Sequence, residues 1–329
     1  QNKNNFPLII WLCSVLLSVL IMTIIGGLTR LTDSGLSMVE WRPLLGFFPP
    51  LNDNEWDRVF NLYQNSPEYI FYNSNITLQE FKSIFYWEYF HRLWGRFIGI
   101  IFLVPFLIFW IKNLIPENYK IKLILILFLG LNQALVGWWM VQSGLIEDPN
   151  VSQYRLALHL SNALLIMFCL IWIILDLIEG PAKIKLNYGL FCLFILTITT
   201  IAGAFVAGMD AGLMYNTYPL MNERFLPDQY GALGFLDPLE NPGSAQFHHR
   251  HLGLVTLLTI LFFYLRDYKR SKINFRIKLL IVLTLSQFTL GIFTLLNYVP
   301  IASASLHQTC AIIMFLLLIS IIHKLNKEI

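Results

Sequence analysis

The chain has 329 residues, of which 56% are hydrophobic and only 13% charged, with a mean hydropathy of +0.61. A soluble globular domain carries about 25% charged residues, so the composition argues against a soluble enzyme and for a protein of the bilayer. The net charge of +3 comes with no lysine- or arginine-rich run that would suit nucleic acid.

Eight stretches are apolar and long enough for a hydrocarbon core that needs about 20 residues per helix. In chain order they are 7–29, 85–110, 121–142, 155–178, 187–208, 247–265, 277–297 and 301–322. The first is too long for a signal peptide and lacks a small-residue cleavage site, so it reads as a retained helix. The long connection 31–84 is acidic, with Asp33, Glu40, Asp53, Glu55, Asp57, Glu68 and Glu80. Within it, DNEWDRVFNLY (53–63) spaces Trp56, Val59, Phe60 and Tyr63 at helical intervals, which predicts a short helix lying on the membrane surface. Thr77 followed by Glu80 predicts a capping box. The connection 209–246 is richer in glycine and proline and reads as irregular. Connections of the opposite parity are basic: Lys112, Lys120 and Lys122, then Lys183 and Lys185, then 266–278 with six basic residues, and Lys324 and Lys327 in the tail. The bias predicts both termini on the cytoplasmic or matrix side. The four cysteines, Cys13, Cys169, Cys192 and Cys310, all fall in apolar stretches and read as small buried hydrophobes, not a disulfide framework.

The chain repeats itself. EYFHRLWG (88–95) aligns with QFHHRHLG (246–253), pairing His91 with His249, Arg92 with Arg250 and Gly95 with Gly253. ALHLSNALLIMF (157–168) aligns with SLHQTCAIIMF (305–315), pairing His159 with His307. NQALVGWW (132–139) resembles SQFTLGIF (286–293) through Gln133/Gln287 and Gly137/Gly291. GGLTRLTDSGL echoes AGAFVAGMDAGL, matching Asp33 and Gly35 to Asp210 and Gly212. Four matches in one order predict an all-α polytopic membrane protein. Its eight transmembrane helices form two pseudo-symmetric four-helix bundles, a parallel internal repeat with its axis along the membrane normal. The halves are 1–180, which includes the long loop, and 181–329.

Four of the seven histidines recur by the repeat: His91, His159, His249 and His307. Each is placed within the first two turns of its span, near the outer face. Two histidines on facing helices can clamp a heme iron from both sides, and bundle cores are where such cofactors sit. Zinc fits less well, because a closed zinc site takes about four N, S or O ligands and each half supplies two. A packed core histidine is the plain alternative for any one of them, but ionisable residues inside spans point to function. In HHRH, His248 and His251 share a face that His249 does not, and they are expected to contact loops, headgroups or a propionate. His323 reads as an interfacial residue that snorkels outward. Arg92 and Arg250 suit heme propionates, since arginine binds carboxylates in bidentate fashion. Arg96 needs an ion-pair partner, and Arg30 serves the rim or anchors its helix. Glu88 lies three residues before His91, where the second half has Gln246. A carboxylate there can accept a proton or balance developing positive charge; its plain alternative is an ion pair with Arg92.

The sequence resembles the heme A synthase family over essentially its whole length. The resemblance is carried by GGLTRLTDSGLSMVEWRPLLGFFPPL (26–51), EYFHRLWGR (88–96), NQALVGWWMVQSGL (132–145), AGMDAGLMYNTYPLM (207–221) and FHHRHLG (247–253). It implies an enzyme that oxidises the C8 methyl of heme O to a formyl group, giving heme A for cytochrome oxidase, by successive hydroxylations and dehydration of a gem-diol. It implies that Glu88, His91, His159 and Arg92 belong to the substrate heme site, with Glu88 the catalytic residue. His249, His307 and Arg250 then hold a heme b cofactor. Some bacterial members carry a cysteine pair in the first outer loop; this chain has none there, so a mechanism needing that pair is unsupported. The implied partners are heme O synthase, an unidentified electron donor or acceptor and the lipid bilayer, and a homo-oligomer is left open. A diheme transmembrane electron-transfer protein and a non-catalytic heme carrier or assembly factor remain the competing readings.

Overall fold

The computed structural model describes residues 5–41, 45–146, 149–267, 269 and 273–328. Arg42 and Pro43 of the Trp-Arg-Pro run, and Arg270 and Lys272 of the basic connection, lie outside them. Regular structure among the described residues is helical, apart from one isolated bridge between Met221 and Arg224. The helices are α1 (Phe6–Leu31), α2 (Asp53–Gln64), α3 (Pro67–Phe71), α4 (Leu78–Ile111), α5 (Glu117–Gly144), α6 (Gln153–Glu179), α7 (Tyr188–Gly208), α8 (Asp237–Glu240), α9 (Pro242–Asp267), α10 (Asn274–Leu296) and α11 (Ile301–Glu328).

Seven of these, not eight, combine the length and apolarity needed to cross a membrane. The exception is α9, which is long enough at 26 residues but opens with the polar run PGSAQFHHRH. The chain is an integral, multi-pass helical membrane protein by these seven helices.

α4 is longer than expected because the Thr77–Glu80 box starts it. The Glu80 amide donates to Thr77 Oγ1 at 3.3 Å, and the Thr77 amide donates to Glu80 Oε2 at 2.8 Å. Its 34 residues span about 51 Å at 1.5 Å per residue, well beyond a hydrocarbon core of about 30 Å. His91 therefore sits nearly four turns into its helix rather than in the first two. The protruding turns have a use: Phe81, Phe85 and Tyr89 form an aromatic cluster with Trp56 and Tyr63 of α2. The predicted amphipathic helix is thus α2, capped by Asn52, with its apolar face turned to α4. The Trp56 and Phe85 rings meet edge to face at 5.1 Å.

Helix packing is similar in residues 1–180 and 181–329, although α9 packs closely on α10 where α4 scarcely meets α5. α1 packs on α4 and α6, and α5 on α6; correspondingly α7 packs on α9 and α11, and α10 on α11. Contacts between the halves run α6 to α7, α1 to α11 and α6 to α11. The closed apolar core, including Leu12, Leu123, Leu170, Phe263, Leu280 and Leu318, lies toward the end that carries the chain termini. The four repeated histidines lie toward the other end.

His323 departs from expectation. It does not snorkel but is fully buried (0% exposed), with Nε2 2.9 Å from Oδ1 of Asp176 on α6. Lys122 Nζ stands 3.6 Å from the other carboxylate oxygen, and the Ala182 amide donates to Asp176 Oδ1 at 3.1 Å. This α6–α11 link ties the halves together. Removing one partner of such a buried hydrogen bond leaves the other unsatisfied, at a cost of about 1–3 kcal/mol. Asp176→Asn should therefore lower the thermal unfolding midpoint of the detergent-solubilised protein, and an unchanged midpoint would show that the link bears no load.

Candidate functional site

The four repeated histidines share one local arrangement. Each imidazole lies against a glycine of a neighbouring helix: His91 on Gly26 of α1, His159 on Gly137 of α5, His249 on Gly203 of α7 and His307 on Gly291 of α10. Each residue keeps part of its surface accessible inside the bundle. Nδ1 of His91, His159 and His307 is buried without a hydrogen-bond partner among the described residues. His249 differs, with Nδ1 3.1 Å from the Thr199 carbonyl. The His249 and His307 rings face each other with centroids 6.4 Å apart and planes at 83°. Gln133 on α5 donates to the His159 carbonyl at 3.1 Å, and Gln287 on α10 has Nε2 3.4 Å from His307 Nε2.

The two arginines are used alike in both halves. Arg92 donates to the carbonyls of Met38 at 2.9 Å and Glu40 at 3.3 Å; Arg250 donates to those of Tyr215 at 2.5 Å and Thr217 at 2.9 Å. Met38 and Glu40 occupy the repeat positions of Tyr215 and Thr217. Each guanidinium thus pins the loop that follows the first helix of its half.

Glu88 and Gln246 are both buried and sit beside those arginines. Glu88 accepts three kinds of hydrogen bond: from Arg92 at 2.5 Å, from the Ser37 hydroxyl at 2.7 Å and from the Met38 amide at 2.7 Å. Gln246 reverses the polarity. Its amide group donates to the Tyr215 carbonyl at 3.2 Å and the Gly212 carbonyl at 3.4 Å, while its oxygen accepts from Arg250 at 3.1 Å. The Glu/Gln difference is therefore matched by a difference in the loop atoms each side chain meets, donors for Glu88 and carbonyls for Gln246. Ser37 and Met38 were not visible as partners in the sequence, because they lie about fifty positions from Glu88 with no local pattern joining them.

The remaining candidates are placed as follows. His248 stacks on Tyr230, with Nε2 3.3 Å from its hydroxyl. His251 turns Nδ1 back to the Phe247 carbonyl at 2.8 Å and rests against Phe225. Both therefore contact the connection 209–246, the first of the three alternatives the sequence left open. Arg96 lies over the Phe47 ring at 5.4 Å. Arg30 crosses between the halves, donating to Asp33 at 2.8 Å, to Asp210 at 2.6 Å and to the Ala207 carbonyl at 2.9 Å.

The first outer loop also holds a buried acid, Glu68. Burial pushes its carboxyl up from an ordinary 4.5 to about 7, opposed by a hydrogen bond from Tyr63 and reinforced by the charges of Glu88 and Asp33. Because the raised value favours the neutral form, the loop is most stable where Glu68 is protonated. Stability falls as pH rises from about 4.5 to about 7 and then levels off. Thermal unfolding between pH 5 and 8 should show this slope in the parent and a flatter profile in Glu68→Gln.

Among the described residues no group of three or more His, Cys, Asp or Glu side chains is arranged to hold a metal ion. The site consists of paired histidines, a donor set suited to an iron whose other ligands come from a macrocycle. The 6.4 Å between the His249 and His307 rings admits one ion with bonds of about 2 Å to each. A histidine whose Nδ1–H is held by a carbonyl presents Nε2 to a metal, so the His249 geometry fits heme ligation.

Fold and site together define a multi-pass helical membrane protein in which four histidines rest on glycines of neighbouring helices, His249 and His307 facing each other. The chain belongs to the cytochrome oxidase assembly protein family, whose profile matches residues 9–319. It is 40% identical to a heme A synthase of Nitrosospira multiformis, covering 98% of this chain and 94% of that one. Heme A synthases of Maricaulis maris and Parvibaculum lavamentivorans are each 40% identical to it. They cover 94% and 99% of this chain, and 93% and 96% of their own lengths.

Proposed function

We propose that this chain is a heme A synthase, taking heme O as substrate and oxidising its C8 methyl to a formyl group for cytochrome oxidase. The observation that carries the reading is the pair of histidines in each half, in a chain alike over its whole length to proteins of that name. In this reading α9 is the eighth span, and the halves 1–180 and 181–329 are pseudo-symmetric four-helix bundles with both termini on the cytoplasmic or matrix side. The matching packing of α1–α4–α6 and α7–α9–α11 supports it.

His249 and His307 hold a heme b cofactor; His91 and His159 hold the substrate heme. When bound, the cofactor heme supplies one-electron redox chemistry. His249 is oriented by the Thr199 carbonyl. Arg92 and Arg250 hold the loops beside the two sites through backbone carbonyls, and a propionate would be bound by the N–H groups these bonds leave. Glu88, one turn from His91 and fixed by Ser37, Met38 and Arg92, is the group placed to accept a proton or balance positive charge developing on the substrate. Converting the methyl to a formyl removes electrons and protons and adds an oxygen atom, so it requires an electron acceptor with water, or dioxygen with a reductant, as co-reactants. Heme O synthase is the class of enzyme that supplies the substrate.

A second reading, a diheme electron-transfer protein, is favoured by one observation: every Glu88 oxygen is already engaged in holding a loop. Expression in a host that makes heme O, followed by heme extraction and mass analysis, separates the two. Formyl or hydroxymethyl heme is expected; two bound hemes with neither product would leave the electron-transfer reading.

A further inference from the structure

The glycines beneath the four histidines carry an inference that rests on, and deepens, the heme-ligand reading. A Cβ built on Gly26, Gly137, Gly203 or Gly291 would lie 2.9, 2.9, 3.0 or 2.8 Å from Cε1 of His91, His159, His249 or His307. In all four cases Nδ1 comes next, at 3.4–3.5 Å, and Nε2 is the farthest of the three at 3.6–4.0 Å. The same ring edge therefore faces the same kind of backbone four times, on four different helix pairs. Carbon atoms pack best at about 3.5–4.0 Å, so an added methyl would displace each ring by about half an ångström or more. A helix-interior glycine is about 1 kcal/mol less favourable than alanine; all four positions bear that penalty where an imidazole touches the helix. Gly130 of α5 and Gly253 of α9 have nothing within 4 Å of a built Cβ, so a glycine on these helices does not by itself imply a contact.

We propose that Gly26, Gly137, Gly203 and Gly291 are positioning residues: each is a shelf on which the Cε1 corner of one heme-ligating imidazole rests, fixing the plane and depth of that ring. Their role is exerted through the histidines; none of the four touches iron.

The test compares Gly203→Ala and Gly291→Ala with Gly130→Ala and Gly253→Ala in the detergent-purified full chain. Heme content per protein and the low-spin ferric signal in electron paramagnetic resonance are read. The shelf variants are expected to lose heme affinity by about 10–100-fold, the range for groups that orient metal ligands, or to keep heme with a shifted low-spin signal. The two control variants should match the parent. A merely structural glycine would not move that signal. A double-mutant comparison covers variants that fail to load. Gly203→Ala should lower the unfolding midpoint when His249 is present and not when His249→Ala has removed the ring.

Parent-like heme content and signal in Gly203→Ala and Gly291→Ala would overturn the proposal. An equal loss of stability with and without the His249 ring would also overturn it. If instead His249→Ala itself keeps the parent low-spin signal, the ligand assignment fails, while the stability comparison still decides the shelf.

Discussion

Replacing His249 or His307 with alanine is expected to abolish the low-spin cofactor heme spectrum of the purified protein, while His248→Ala retains it. The sequence HHRH offers three histidines within four positions, and neighbouring helical residues do not face the same way. The His249 ring lies on Gly203 with Nδ1 at the Thr199 carbonyl, opposite His307 at 6.4 Å. His248 stacks on Tyr230 of the outer loop. Losing a first ligand removes a bond no neighbour can replace, whereas losing His248 removes one stacking contact. Absorption spectra of the reduced protein decide the matter: a spectrum lost in His248→Ala and kept in His249→Ala would put the repeat register off by one.

The second large effect concerns Glu88. Glu88→Gln is expected to keep heme bound and to lower heme A formation by about 100-fold or more, the scale of a positioned acid–base group. The structure adds a structural load to that role. The carboxylate accepts from the Met38 amide and the Ser37 hydroxyl. Those two donors share Oε2 while Arg92 takes Oε1. A glutamine keeps only one acceptor atom, so its amide nitrogen opposes either the Arg92 guanidinium or the two loop donors, and the packing of that loop should also loosen. The reciprocal change separates the two roles. Gln246→Glu would set a carboxylate oxygen against the Tyr215 carbonyl, now 3.2 Å from the glutamine amide. It should destabilise the protein by about 1–3 kcal/mol while leaving substrate chemistry in the other half. Product analysis together with thermal unfolding of both variants checks this; undiminished heme A formation in Glu88→Gln would end its catalytic assignment.

Most of the helices could be read from the sequence, because apolar length is a local property. The boundaries moved where local signals combined: the Thr77 box and the apolar run from 85 belong to one helix, not to a loop and a span. The four ligand candidates were visible as well, since a duplicated chain repeats its functional positions. Gly137 and Gly291 were visible as a matched pair, but not as the surfaces on which His159 and His307 rest. The arginines were expected to face propionates; their hydrogen bonds go to loop carbonyls and to Glu88 or Gln246 on their own helices.

The sequence by itself determined a bilayer protein, most of its helices and four histidines in recurring motifs, because hydropathy, periodicity and repetition are written along one dimension. Only the tertiary structure decided who touches whom. His323 looked like a residue reaching for the interface until Asp176, 147 positions earlier, was found against its ring. Glu88 could be read as a chemical group or as the ion-pair partner of Arg92; only the fold brought Ser37 and Met38 onto its other oxygen. Burial and hydrogen bonding of a polar group depend on partners brought together by packing, and no local pattern records which distant residue will satisfy it.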